Sequence, residues 1–246
     1  MSLNFSDVTN DDGIIQVIEQ TCGFQIAGIS SNATLLKQFT GKVNRAMDDA
    51  TALILSCGGT WQYDDSNHTD YPFITTNLVS GQRDYTFTTD EQGNIILDIY
   101  KVTIKDAAGT YHEIYPVDQQ NEEGMWSFYN GLNTGGMPTR YDKTANGIFL
   151  DAIPNYASTN GLKVFINRES SYFTTSDTTK KPGFDGRCHE YVALKASETY
   201  ARDKRLANYP DLVRDIAKAE QRIDDVYGKR ERDKVKQILP LIRSSR

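Results

Sequence analysis

The sequence predicts an α+β protein: a helical bundle of an early helix plus a C-terminal helical hairpin, with an inserted, mainly antiparallel β-sheet or small sandwich. Three observations predict it. An apolar stripe at three- and four-residue steps runs from Leu36 to Cys57; two more such stripes lie between Cys188 and Val226; and the chain between them is rich in short alternating segments and turn residues.

The first 30 residues lack sustained periodicity. Ile14, Ile15, Val17 and Ile18 form one short apolar run, and Gly23 and Gly28 interrupt the chain beyond it. Residues 1–30 are expected to be an arm carrying a short strand or helix. The early helix comes next. Leu36, Phe39, Val43, Met47, Ala50, Ile54 and Cys57 make one stripe, Ser31 and Asn32 are suitable N-caps, and Gly58-Gly59 is a strong stop. Residues 31–60 therefore supply the first bundle helix, and 60–82 read as a polar, aromatic loop.

The β domain is expected within residues 72–175. Asp84–Thr88 alternates with a strand period, Asn94–Lys105 is rich in β-branched residues, and Asp106–Gly109 makes a turn into a partner strand over Tyr111–Val117. Pro138–Asp142, Ile148–Asp151 and Leu162–Asn167 add three candidates, with Asn146-Gly147 as a hairpin turn between the first two. About five or six strands is an ordinary sheet size.

Residues 182–228 return to helix after Pro182-Gly183. Cys188, Tyr191, Val192, Lys195, Thr199 and Arg202 follow helical spacing, with Asp185 as a cap. Pro210 opens a second helix after Asn208; Leu212, Val213, Ile216, Ala219, Ile223 and Val226 form its stripe, and Gly228 is placed to end it. A short connection makes the pair an antiparallel hairpin.

Residues 229–246 are a charge island. Lys229, Arg230, Arg232, Lys234, Lys236, Arg243 and Arg246 face only Glu231 and Asp233, a local charge of +5. The whole chain carries -6, so residues 1–228 carry -11. Among the basic residues sits the apolar cluster Ile238, Leu239, Leu241 and Ile242, and Pro240 limits any helix there. Phosphate binding has no use for that cluster, whereas docking into a partner's groove does.

Motifs for chemistry are sparse, and no enzyme, cofactor or metal site is expected. Of three histidines, His68, His112 and His189, none stands in an HExxH or comparable ligand spacing. Asp64 to Asp70 resembles a calcium loop only in composition, since Thr69 stands where the sharp-turn glycine belongs and no distal glutamate follows. No P-loop and no GxSxG elbow occurs. Cys22, Cys57 and Cys188 are unpaired in spacing and are expected as reduced, small apolar side chains. The aromatic groups around Trp61 and Trp126 suit either loop stapling, the preferred reading, or a glycan-stacking surface. No run approaches the roughly 18 apolar residues of a membrane span, and the polar segment Met1–Asp12 does not read as a signal peptide.

The order of several segments resembles the head-to-tail adaptor (connector or neck) proteins of tailed bacteriophages, especially the short-tailed ones. The early helix ends in Gly59-Thr60-Trp61-Gln62-Tyr63-Asp64-Asp65, and Gly81-Gln82-Arg83-Asp84-Tyr85 is similar to the family's entry into its sheet. Gly136–Tyr141 and Ile148–Pro154 resemble the family's next paired strands, and Pro182–Leu194 the opening of the late hairpin. The resemblance implies a homo-oligomeric ring, commonly of twelve copies, between the portal protein and a tail or nozzle protein. DNA would pass through its channel without sequence-specific binding. It also implies a virion location after assembly in the host cytoplasm, with no membrane partner.

Under that reading the docking tail comprises Lys229, Arg230, Arg232, Lys234, Lys236, Ile238, Leu239, Leu241, Ile242 and Arg243, and the arm 1–30 clasps a neighbouring subunit. An acidic body would suit a channel wall that repels the duplex. The alternatives are a tail-associated, β-rich module that binds a glycan receptor, and another neck or tail-completion ring protein.

Overall fold

The computed structural model describes residues 2–58, 73–90, 93, 95–117 and 135–228. They are mixed α and β and fall into two compact units: residues within 1–61 and 172–246 form a helical unit, and those within 62–171 form a sheet unit. Among the described residues, no helix is long and apolar enough to cross a membrane.

Among the described residues the helical unit has four α-helices: α1 (Ile14–Cys22), α2 (Ala33–Gly58), α3 (His189–Asp203) and α4 (Tyr209–Tyr227). Helix α3 packs against each of the other three, and α2 also packs against α4. The α2 stripe is buried as its spacing predicts, with Phe39, Val43, Met47, Ala50 and Ile54 all at 1% exposure or less. Its start is fixed by Asn32, whose Oδ1 accepts the N–H groups of Thr34 and Leu35, both at 3.1 Å.

Residues 2–30, expected as an arm outside the core, are folded into this unit instead. Leu3, Phe5, Ile14, Ile15, Ile18 and Ile29 are buried, and Phe5 stacks on Phe173 at 4.8 Å between ring centroids. The physical reason lies in α1. Ile14, Ile15, Ile18 and Cys22 share one face, and nine residues gain enough by packing that face on α3 to be helical. Gly23, at φ 72°, closes α1 in the left-handed conformation that a side chain resists.

Buried Glu19 then organises the turn beyond α1. Its Oε1 accepts the N–H groups of Ile29 and Ser30, each at 2.8 Å, and its Oε2 that of Ala27 at 3.1 Å. Three N–H donors around one carboxylate replace the water it gives up on burial.

Among the described residues seven strands make one sheet: β1 (Phe73–Leu78), β2 (Asp84–Thr86), β3 (Ile96–Lys105), β4 (Tyr111–Pro116), β5 (Arg140–Thr144), β6 (Gly147–Leu150) and β7 (Ser158–Arg168). Their order is β1-β7-β3-β4-β5-β6-β2, and every neighbouring pair is antiparallel except β4 with β5. The sheet has one strand more than the upper expectation. Residues 73–78, expected as loop from their polar surroundings, form the edge strand β1.

The two edge strands are consecutive in sequence, joined only by residues 79–83. A flat seven-stranded sheet is about 29 Å across, while such a link reaches at most about 20 Å. The sheet therefore curls, and the hydroxyl of Tyr85 in β2 accepts the N–H of Val79 just past β1 at 3.0 Å. Inside the curl lies one apolar core, including Val102, Ile104, Tyr141, Ile148, Leu150, Leu162 and Val164. Asp90 and Arg168 form an ion pair with both side chains 5% exposed.

The hairpin between β5 and β6 turns one residue earlier than Asn146-Gly147 suggests. Thr144 pairs with Gly147, so the loop is Ala145-Asn146 and Gly147 already belongs to β6. A Cβ on Gly147 would stand 2.0 Å from the Tyr85 carbonyl oxygen. Glycine is there to let β2 approach, not to make the turn.

Candidate functional site

The ten residues proposed to dock a partner, Lys229 to Arg243, lie outside the described residues, as do His68, the Asp64–Asp70 loop, Trp61 and Trp126. The described structure ends at the root of the tail. Helix α4 buries Leu212, Ile216, Ala219, Ile223 and Tyr227, an i, i+4, i+7, i+11, i+15 stripe. Val213, placed on that stripe from sequence, is 42% exposed instead. It sits beside Leu212, about 100° round the helix, so a one-residue step takes it off the buried face.

Tyr227, the last helical residue, is 3% exposed, and its hydroxyl accepts the N–H of Asp185 at 3.0 Å. Asp185 in turn caps the 3-10 turn Gly186–Cys188 that leads into α3, accepting the Arg187 N–H at 2.9 Å. The expected cap therefore acts one short turn ahead of the helix itself. Its side chain also takes the Arg187 guanidinium, at 2.9 and 2.7 Å. The C-terminal end of α4 is thus tied to the N-terminal end of α3. Gly228 closes α4 where the sequence places its end, in a right-handed conformation, φ -64°.

Along the α2–α3 pair runs an open groove of about 500 Å³ lined by both signs of charge. Asp48 on its wall accepts the Tyr172 hydroxyl at 2.7 Å, and Lys195 donates to Glu198 at 2.7 Å. Lys42 lies over the rings of Phe39 and Tyr200, 5.4 and 5.6 Å from their centroids, and partial burial lowers its pKa. Arg45 and Arg202, both exposed, complete a basic end. A smaller neighbouring hollow, about 380 Å³, is bordered by Asp49, Tyr191, Lys195 and Glu220. Burial, and then the nearby Glu220, Asp49 and Glu198, push the Tyr191 hydroxyl up. Such a surface, shallow and of mixed charge, offers polar contacts to a protein partner.

The two described histidines are occupied structurally. His189 is 2% exposed; its Nδ1 accepts the Leu3 N–H at 3.0 Å, and its Nε2 lies 2.8 Å from the Phe184 carbonyl oxygen. His112 pairs with Asp106 at 2.8 Å on the surface, where Asp106 also holds the turn by accepting the Thr110 N–H at 2.8 Å. Cys22 and Cys188 are buried, whereas Cys57 is only partly so. Burial raises the pKa of both Cys22 and Cys57, which disfavours their thiolate forms. Among the described residues no three His, Cys, Asp or Glu side chains gather as a metal-holding group.

Sequence reasoning missed the pinning of Tyr227 to Asp185, because a tyrosine at a helix end carries no signal of what its hydroxyl meets. It also missed the α2–α3 groove, whose residues stand about 150 positions apart in the chain. No family model matches the sequence, and no curated protein matches it.

Proposed function

We propose that this chain is a structural head-to-tail adaptor of a tailed bacteriophage. Copies of it form a ring, commonly of twelve, that joins the portal protein to a tail or nozzle protein and extends the DNA channel. Helix α2 and the α3–α4 hairpin act in this reading as a rigid helical bundle, the sheet unit is its insertion, and residues 229–246 dock on the portal. The role is non-catalytic, and the assembled location is the virion.

The observation that supports the reading best is the anchored root of the tail. A basic and apolar segment that docks on a partner transmits position only if its own origin is fixed, and the Tyr227–Asp185 hydrogen bond fixes it. The order of the adaptor-like segments along the chain supports it from a separate direction. The mixed-charge α2–α3 groove offers a further surface on which a neighbouring copy can pack, as heterologous ring contacts require.

Deleting residues 229–246 tests the proposal. The shortened chain keeps the far-ultraviolet spectrum and melting temperature of the full chain but no longer co-sediments with portal rings. Undiminished binding to those rings would sink the docking role.

A further inference from the structure

A second surface lies on the side of the sheet turned away from the apolar core. Strand alternation puts Ile74, Val164, Val102 and Ile114 inward, so the residues between them on β1, β7, β3 and β4 point out. That outer face interleaves lysines with rings. Phe73 and Phe165 are direct cross-strand partners, 5.6 Å apart by centroid, and Lys101 pairs with Phe165 from the other side.

Lys163 lies 4.5 Å from the Phe73 centroid and 4.6 Å from that of Tyr111, and Lys105 lies 5.0 Å from the same Tyr111 ring. Two ammonium groups thus flank one tyrosine at fixed places. Glu113 on this face is bound to Lys101 at 2.9 Å and does not neutralise that pair. Two positions further along β4, Tyr115 is 64% exposed. Four residues of strand place it about 14 Å from Tyr111.

From this lattice we infer that the outer face of β1-β7-β3-β4 binds single-stranded nucleic acid, with Lys105 and Lys163 holding backbone phosphate and Tyr115 stacking a base. The charge complementarity is local. A chain of net charge -6 carries here a strip in which lysines outnumber carboxylates. Exposed rings beside lysines on a β surface suit unpaired bases, since every base has a flat face, and a phosphate meets ammonium groups already oriented by cation–π contact. An acidic peptide would satisfy the lysines and leave Tyr115 unused. The inference does not depend on the adaptor reading, which rests on the tail.

Fluorescence anisotropy of a labelled oligothymidylate with the full chain tests it, in about 50 mM salt, where phosphate contacts are strong. Binding is expected, weakening with added salt. Tyr115→Ala should weaken it about 5-fold or more, Tyr115→Phe should retain it, and Lys105→Glu with Lys163→Glu should abolish it. Circular dichroism checks each fold; should the double lysine variant not fold, the two exposed Tyr115 variants decide alone. Three results overturn the inference: no binding, binding indifferent to Tyr115→Ala, or binding lost only when Lys234 and Lys236 become Gln. A polyglutamate peptide bound as tightly, and as well by Tyr115→Ala, would also overturn it in favour of acidic protein.

Discussion

The imidazole of His189 and the backbone of Leu3 meet inside the helical unit, Nδ1 to N at 3.0 Å, although 186 positions separate them in the chain. This bond ties the start of the chain to the first turn of α3. With Nε2 carrying the proton toward Phe184, the neutral ring satisfies both neighbours. Burial holds its pKa below the ordinary 6.5, and nearby Lys181 acts in the same direction against the backbone hydrogen bonds.

A pH dependence results from that lowered value. A histidine whose folded pKa lies below its unfolded one stabilises fully above about pH 6.5, and the contribution is lost as pH falls toward the folded value. The melting temperature should therefore drop between neutral pH and about pH 5. His189→Gln should lower stability at neutral pH by roughly 1–3 kcal/mol and flatten that slope. Parallel melting profiles for the two proteins would show that another group sets the acid limit.

Glu19 gives a sharper test of the N-terminal fold. Glu19→Gln replaces one acceptor oxygen by an NH2 group facing N–H donors, at a cost of about 2 kcal/mol. Ala27, one of the three residues it holds, has φ 60°. Ala27→Gly should therefore stabilise by roughly 0.5–1 kcal/mol. Chemical denaturation of both variants reads the two signs, and an unchanged midpoint for Glu19→Gln would contradict the burial of its carboxylate.

On α4, Leu212→Ala, Ile216→Ala and Ile223→Ala should each cost about 2–5 kcal/mol, because these residues are 3%, 5% and 0% exposed. Val213→Ala, one position from Leu212, should change stability by less than about 0.5 kcal/mol. Equal losses at positions 212 and 213 would mean that the buried face is drawn wrongly.

At Gly147 the obstacle is backbone rather than side chain. Gly147→Ala sets a methyl group against the Tyr85 carbonyl and should part β2 from β6, destabilising the sheet unit by about 3 kcal/mol or more. Amide exchange at Ile148 and Tyr85, a hydrogen-bonded pair in the β2–β6 register, would report the loss directly, and retained protection there would refute the steric account.

The stripe of α2 and, Val213 apart, that of α4 were legible in the sequence because a helix buries one face and repeats it every three to four residues. On α3 only Tyr191 and Val192 were placed rightly: Thr199 and Arg202 are exposed, and the buried face runs on through Ala196, Ser197 and Ala201. The hairpin β3–β4 was legible for a similar local reason, with Asp106–Gly109 supplying the turn. Local pattern failed where the decisive partner was distant. Residues 73–78 read as loop because β1 is an edge strand whose partner, β7, lies some 90 positions on. Residues 2–30 read as a free arm because one short apolar run says nothing about the α3 surface that receives it.

By itself the sequence determined the α+β class, the buried face of α2, most of that of α4 and the basic, apolar character of residues 229–246, all properties of neighbouring residues and their periods. Only the tertiary structure decided the order of seven strands, the burial of Leu3 and Phe5, and the hydrogen bond from Asp185 to the Tyr227 hydroxyl at the tail's root. Those depend on which surfaces meet across long stretches of chain, and that choice belongs to packing, not to local propensity.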